Sequence, residues 1–333
     1  MRLDAELGWT VKPSGHSEEY RANSEGIRSD VSYSDAPAPG VLRIATFGDS
    51  FTHGDEVANA DTWQHQLGRE LERCETLNLG VPAYGPGQSL MRFRRRGPAL
   101  GAHVVFLGYS LDNLRRAINV FRPFLGPSFQ FPLTKPRFQL RDDELKLVPN
   151  PLRSLDDYRR LMREPAVVLP ELGRHDHVFA RRYGSSAFDV LPSVRVTRLV
   201  WYALARKLEG SEYAVSHPAF DITFSILKQA CEEVRASGAI PIVLFFPADF
   251  SAIAAQRAAT YEPLAQPLRN DEERVVDLTD ASVSIAGTGD PLRFQLGTWG
   301  HYSAAGHRVV AAYLRQWLTE NALDTPEAAR RAR

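Results

Sequence analysis

Short apolar runs alternate with amphipathic stretches along the first third of the chain. The runs Val41–Phe47, Thr76–Val81 and His103–Tyr109 have the length and composition of buried strands. The stretches between them, Asp61–Cys74 and Gln88–Leu100, carry apolar residues at helical spacing. Strand, helix and strand in this repeated order predict a parallel sheet with right-handed crossovers.

The same alternation returns near the C-terminal end of the chain. Helices and strands are predicted there in turn over Asp221–Ser237, Ile240–Phe246, Ala252–Leu268, Arg274–Leu278 and Ala304–Asn321. The region in between, about residues 116–210, has no clean strand–helix–strand unit. A hairpin over 137–148 and helices near 154–162 and 194–208 are the elements predicted in it.

These patterns predict a domain with one long insertion. Residues 1–40 are polar and rich in turn-forming residues, so we expect an N-terminal arm that packs on the main domain. Residues 41–323 form the main domain, and about 116–210 form an insertion or lid over one face of its sheet. Residues 324–333 are expected to be a frayed tail.

Composition narrows the function classes. Forty Lys and Arg residues balance 40 Asp and Glu residues among 333, so a general nucleic-acid binder is not expected. Two cysteines make no disulfide framework. The first residues lack the apolar block of a signal peptide, and the longest apolar run, Ala239–Phe246, is too short to span a bilayer. We therefore expect a cytoplasmic protein as given, or an exported one if the chain is a fragment of a longer parent.

Candidate chemistry lies where the predicted strands end. Ligands of open parallel sheets bind outside the carboxyl ends of the strands. Ser50, in the turn Gly48-Asp49-Ser50 after the first strand, exposes a hydroxyl and a backbone N–H that can stabilise an oxyanion. A serine hydroxyl needs a base, and His301, before the final helix, returns to the same edge.

Two further features lie at the ends of the second and third strands. Gly80 can offer a backbone N–H at close approach, and Asp112-Asn113 can offer an amide donor. Because each feature ends its own strand, we expect all of them to converge on one site.

Three stretches of the chain resemble the conserved blocks of the SGNH/GDSL hydrolase superfamily, in the order that the family shows. Ile44–Gly54 resembles the first block, Asn78–Gly85 the glycine block, and Gly300–His307 the final histidine block. Together they span about residues 42–318. The stretches Leu7-Gly8-Trp9 and Asn23–Arg28 also resemble members found near bacterial polysaccharide genes.

The resemblance implies a fold, a mechanism and a set of site residues. The fold is a flavodoxin-like three-layer α/β/α sandwich, and the mechanism is that of a serine esterase or O-acyltransferase. Ser50 is the implied nucleophile and His301 the implied base. The N–H groups of Ser50 and Gly80, with an asparagine side chain, are the implied oxyanion hole. No cofactor or metal is implied.

The third block departs from the family pattern. The family reads Asn then Asp, whereas this chain reads Asp112 then Asn113. We favour Asn113 as the oxyanion donor. Asp112 is the alternative, and a carboxylate there would repel a developing oxyanion.

The acid that orients the histidine also departs from the pattern. The positions two and three before His301 hold Trp299 and Thr298, and neither is a carboxylate. Either Ser50 and His301 act as a dyad with a backbone carbonyl holding the imidazole, or another acid reaches the site. The candidates for that acid are Asp277, Asp280 and Asp290.

The sequence thus predicts hydrolysis of an acyl ester through an acyl-enzyme on Ser50. The expected substrate is a small molecule or glycan that carries a small acyl group, on a carbohydrate or a secondary metabolite. One alternative is acyl transfer to a carbohydrate hydroxyl with the same nucleophile. A second is a binding module that kept the fold and lost the chemistry.

Overall fold

The computed structural model describes residues 1–110, 112–126, 132–182, 188, 191–208, 217–247, 261–279, 295–296 and 300–333. The chain divides into two compact units. The first comprises Met1, Val11–Asn113 and Ile226–Arg333, and the second comprises Arg2–Thr10 and Leu114–Ser225. No helix of the described ranges is long and apolar enough to cross a membrane.

The strands and helices follow the alternation seen in the sequence. The strands are β1 (Arg2–Asp4), β2 (Gly8–Thr10), β3 (Leu42–Phe47), β4 (Cys74–Asn78), β5 (Val104–Ser110), β6 (Arg137–Arg141), β7 (Glu144–Val148), β8 (Ile240–Phe246), β9 (Val275–Asp277), β10 (Gln295–Leu296) and β11 (His301–Tyr302). The α-helices of the described ranges are Ser50–His53, Trp63–Glu70, Pro86–Arg96, Asn113–Ala117, Leu155–Arg163, Pro165–Gly173, His177–Arg182, Pro192–Leu208, Pro218–Ala236, Glu262–Asn270, Ala304–Glu320 and Pro326–Arg331.

Five strands of the first unit form one parallel sheet in the order β4-β3-β5-β8-β9. Numbered along the chain, this order is second, first, third, fourth and fifth, which is that of flavodoxin-like sheets. The strand order reverses between β3 and β5, so the switch point of the sheet lies beside the end of β3.

Both faces of the sheet are covered, because successive strand residues point to opposite sides. One face packs against the helices Trp63–Glu70 and Ala304–Glu320 in a single apolar cluster. On the other face, Phe93 of the helix Pro86–Arg96 meets Phe47 with ring centroids 5.4 Å apart. The predicted three-layer α/β/α arrangement is therefore confirmed.

The second unit has its own elements and its own core. The predicted hairpin is present as β6 and β7, and the two predicted helices are present as Leu155–Arg163 and Pro192–Leu208. Its core gathers buried aromatic and aliphatic side chains: Val120, Phe121, Phe124, Leu152, Val168, Leu172 and Phe179. The covering of the sheet by residues 116–210 stays a prediction.

The two ends of the chain differ from the predictions. The expected single arm is divided, because Arg2–Thr10 belongs to the second unit, where Asn150 Nδ2 donates to the carbonyl of Ala5 at 3.2 Å. The expected frayed tail is wrong as well. Thr325 caps the helix Pro326–Arg331, and Ala329 is fully buried in the apolar cluster of the sheet. The small alanine side chains of this helix pack against the core, although the segment has no long apolar run that would predict burial.

The buried His307 links the stability of the first unit to pH. Its Nδ1 accepts a hydrogen bond from the backbone N–H of Trp63 at 3.1 Å, so the ring is neutral. Burial lowers the pKa of His307 from 6.5 to about 3. Below pH 6.5 the unfolded chain therefore binds a proton that the folded chain does not, and stability falls as the pH drops towards 3.

We expect the variant His307→Asn to lose less stability than wild type on acidification. Its amide oxygen can still accept from Trp63 and does not titrate. Urea unfolding at several pH values gives the free energy of unfolding as a function of pH. That free energy should fall more steeply with decreasing pH in wild type than in the variant, by up to about 1.4 kcal/mol per pH unit, the value for one proton. Parallel pH dependences for the two proteins would show that His307 is not the titrating group.

Candidate active site

Ser50 stands on a tight connection between β3 and a one-turn helix. A Cβ at Gly48 would lie 2.1 Å from Thr52 Oγ1 and 2.9 Å from the carbonyl oxygen of Gly108, so only glycine fits. Ser50 is the first residue of the helix Ser50–His53, at the carboxyl end of β3 and beside the switch point of the sheet. The predicted strand-to-helix turn is confirmed.

Asp49 stabilises this turn through hydrogen bonds of its buried side chain. Its side chain is fully buried, and its Oδ1 accepts a hydrogen bond from the N–H of Phe51 at 3.0 Å. Its Oδ2 accepts from Asn113 Nδ2 at 2.7 Å and from the hydroxyl of Ser110. Asp49 thereby ties the turn after β3 to the end of β5.

Replacing Asp49 with alanine is expected to destabilise the fold by about 2–4 kcal/mol, because buried donors on Ser110 and Asn113 lose their acceptor. Asp49→Asn keeps one acceptor oxygen and should cost less. Thermal unfolding of both variants checks the order. Equal melting temperatures for wild type and Asp49→Ala would contradict this account of the turn.

His301 reaches Ser50 from the other end of the chain. Strand β11 carries it, between Gly300, with φ +69°, and the helix Ala304–Glu320. The imidazole Nε2 lies 2.9 Å from Ser50 Oγ. Phe51 packs edge-on against the ring, with centroids 5.2 Å apart. Ser50 itself is only 6% exposed. Two residues that are 251 positions apart in the sequence thus form a hydrogen-bonded pair at the carboxyl edge of the sheet.

The other nitrogen of the imidazole faces an acid that the sequence analysis missed. His301 Nδ1 is buried and has no hydrogen-bond partner in the described part of the chain. Glu56 Oε1 lies 3.5 Å from it. Glu56 follows the nucleophile by six positions, in a turn with φ +72°. An acidic residue just past Gly54 is the signal that the sequence offers for this role.

The predicted oxyanion donors are near the turn but have other partners in this structure. Gly80 packs tightly against the turn, since a Cβ there would lie 2.4 Å from the backbone nitrogen of His53. The Gly80 N–H donates to Asn78 Oδ1 at 3.0 Å. Asn113 Nδ2 donates to Ser110 Oγ at 2.8 Å as well as to Asp49. Their contribution to an oxyanion hole stays a prediction.

Asp112 and Asn113 differ in burial. Asp112 is exposed, whereas Asn113 is 1% exposed and directed into the network of Asp49. Of the pair, Asn113 is the residue tied to the turn that carries Ser50, through Asp49. Its role as an oxyanion donor stays a prediction.

None of the three acids proposed from the sequence has an observed contact with His301 among the described residues. Asp277 lies at the end of β9, and its Oδ1 accepts from the N–H and the hydroxyl of Thr279 at 2.8 and 2.6 Å. Asp280 and Asp290 lie outside the described residues. Among the described residues, Glu56 is the acid with an observed contact to His301.

Comparisons with known proteins add only weak similarities. No family model matches the chain, and no curated protein matches it. Similar solved structures include a lipolytic protein of the G-D-S-L family from Veillonella parvula, at 11% identity and a TM-score of 0.44, covering 84% of this chain and 99% of that one. A lipase/acylhydrolase from Enterococcus faecalis has 14% identity and a TM-score of 0.41, covering 84% and 96%. An acetylxylan esterase from Geobacillus stearothermophilus has 12% identity and a TM-score of 0.43, covering 86% and 96%. Similarity at this level does not specify a reaction.

The class of site follows from its own atoms. A parallel α/β/α sheet presents a serine hydroxyl and an imidazole in contact, at the edge where such sheets bind ligands. A buried carboxylate fixes the turn under the serine, and a second carboxylate faces the far side of the imidazole. A serine hydroxyl in contact with an imidazole is an arrangement that can activate the serine as a nucleophile.

Proposed function

We propose that this chain is a serine esterase of the SGNH/GDSL type, which hydrolyses an acyl ester through an acyl-enzyme on Ser50. The distance of 2.9 Å between Ser50 Oγ and His301 Nε2 carries the proposal. A serine hydroxyl is a weak nucleophile by itself, and contact with an imidazole is what makes it competent. The family blocks around both residues support the same reading of the site.

The reaction follows from the pair. Ser50 Oγ attacks the ester carbonyl carbon while His301 Nε2 accepts the hydroxyl proton. The tetrahedral intermediate collapses, the alcohol leaves with the proton returned by the imidazolium, and the acyl group stays on Ser50. Water then attacks the acyl-enzyme with His301 as base, and the carboxylic acid is released as the Ser50 hydroxyl is restored. The backbone N–H of Ser50 is the proposed donor to the oxyanion in both steps.

The proposed substrate class is a small acyl group on a carbohydrate or a secondary metabolite. It rests on the sequence resemblance of Leu7-Gly8-Trp9 and Asn23–Arg28 to family members found near bacterial polysaccharide genes. Under this proposal short acyl esters are better substrates than long ones.

The test is an ester panel assayed with the full chain. Nitrophenyl esters of increasing acyl length, and an acetylated sugar, are incubated at several pH values from about 6 to 9. Release of free acid, fastest for the shortest acyl group, supports the proposal. No hydrolysis of any ester over this range would contradict it and favour a binding module. Adding a sugar acceptor separates the two reactions, because transfer diverts product from free acid to an acylated sugar.

A further inference from the structure

We propose that Glu56 is the carboxylate that positions the imidazole of His301. It takes the place of the acid missing at residues 298 and 299. This inference rests on the proposed serine chemistry and assigns a positioning role within it.

The first observation is the environment of His301 Nδ1. This nitrogen is buried and has no hydrogen-bond partner among the residues described, although buried polar atoms are paired in most proteins. Glu56 Oε1 is 3.5 Å away, with the glutamate side chain 42% exposed. Catalytic hydrogen bonds are often long in the free enzyme and tighten when substrate binds. The proposal therefore expects the Glu56–His301 contact to shorten when substrate binds.

The second observation is the backbone of Glu56. Its φ of +72° is in the left-handed region, which costs energy for every residue with a Cβ. Glycine would avoid that cost, yet the chain holds a glutamate there. The left-handed backbone sets the direction in which the Glu56 side chain leaves the turn.

The third observation is how the turn is held. Arg28, 5% exposed, donates from Nη1 to the carbonyl oxygens of His53 and Gly54 at 2.8 and 2.6 Å. Its Nη2 donates to the carbonyl oxygen of Val57. These carbonyls bracket Glu56 on both sides. A buried guanidinium from the N-terminal segment therefore fixes the turn that presents Glu56 to His301.

The neighbouring acid does not compete for this role. Asp55 Oδ1 lies 2.6 Å from His53 Nδ1, so its carboxylate is engaged with a different, buried histidine. The turn thus sends two successive carboxylates to two histidines, and Glu56 is the one directed at the imidazole beside Ser50.

The decisive test measures steady-state kinetics of Glu56→Gln and Glu56→Asp on a short acyl ester. Glutamine keeps the size and removes the charge, so kcat should fall by at least about 10-fold and at most the about 10⁴-fold known for a buried triad acid. KM should stay near the wild-type value, because Glu56 acts on the base and not on substrate binding. Aspartate should recover part of the rate. Glu72→Gln, which removes an exposed carboxylate elsewhere, is the matched control and should behave as wild type.

Two further variants separate positioning from folding. Glu56→Gly should keep the melting temperature, since glycine accepts the left-handed backbone, and still lose the rate. In a His301→Gln background, adding Glu56→Gln should change the residual rate little, because the glutamate acts through the histidine.

The outcomes distinguish this inference from the proposed function. If wild type hydrolyses esters and Glu56→Gln has unchanged kcat, the positioning role is overturned while the serine chemistry stands. The same conclusion follows if Asp277→Asn, Asp280→Asn or Asp290→Asn shows the loss of kcat instead. If wild type hydrolyses nothing, the proposed function itself fails.

Discussion

Replacing Ser50 with alanine is expected to lower kcat/KM for a short acyl ester by at least about 10⁴-fold, as for other serine hydrolases that lose their nucleophile. The variant keeps the turn and the buried Asp49 but has no oxygen to carry the acyl group. Residual hydrolysis should come from direct attack of water on the bound ester, aided only by substrate binding and by stabilisation of the oxyanion. The measurement is initial rates over a range of substrate concentrations, at enzyme levels high enough to detect slow turnover.

The control for this variant is a measurement showing that it still folds. Ser50 Oγ has His301 Nε2 as its observed partner, so alanine removes one partly buried hydrogen bond at a helix start. The melting temperature should change by only a few degrees. Ester hydrolysis that survives in a folded Ser50→Ala protein would remove Ser50 from the mechanism.

Replacing His301 with glutamine should have an effect of similar size, because the serine loses its base. Glutamine retains polarity at a position that is 14% exposed, so the fold should persist. The more informative measurement is the double variant of Ser50→Ala with His301→Gln. Residues that act as one unit are strongly non-additive, so the double variant should be about as slow as either single variant.

Additive losses in the double variant would contradict this account. They would mean that the two side chains contribute independently, for example one to binding and one to structure. A His301→Gln protein with wild-type kcat would likewise exclude an imidazole base, and the contact with Ser50 would then be only structural.

The part of the site that was predicted from the sequence is the part governed by topology. Ser50 was found because a strand, a glycine and a serine in succession mark a tight turn at the carboxyl edge of a parallel sheet. His301 was found because its loop returns to that edge before the final helix. Their contact at 2.9 Å depends on the parallel sheet that the alternation of apolar and amphipathic stretches predicts.

Glu56 could not be found by the same reasoning. Its position relative to His301 depends on a left-handed backbone in a four-residue turn and on the burial of Arg28 beneath that turn. Neither property has a periodic signal in the sequence. The family pattern points to residues 298 and 299 and the sequence offered Asp277, Asp280 and Asp290, whereas the fold brings an acid from the region of Ser50.

The hydrogen-bond partners of the polar groups around Ser50 could not be predicted from the sequence either. Gly80 and Asn113 were placed near the turn by their strand ends, but the partners of their donors are set by local geometry. Asn78 Oδ1 accepts from Gly80, and Asp49 Oδ2 accepts from Asn113. An aspartate before a nucleophilic serine can face solvent or the core equally well in sequence terms. The structure assigns it to the core, as a support of the turn.

The central claim, that Ser50 is an activated nucleophile, is tested most directly by covalent labelling. The full chain is treated with a fluorophosphonate, digested, and the modified peptide located by mass spectrometry. We expect a single adduct on Ser50 in wild type, and no adduct in Ser50→Ala. Absence of labelling in folded wild type, or an adduct on another residue that persists in Ser50→Ala, would contradict it.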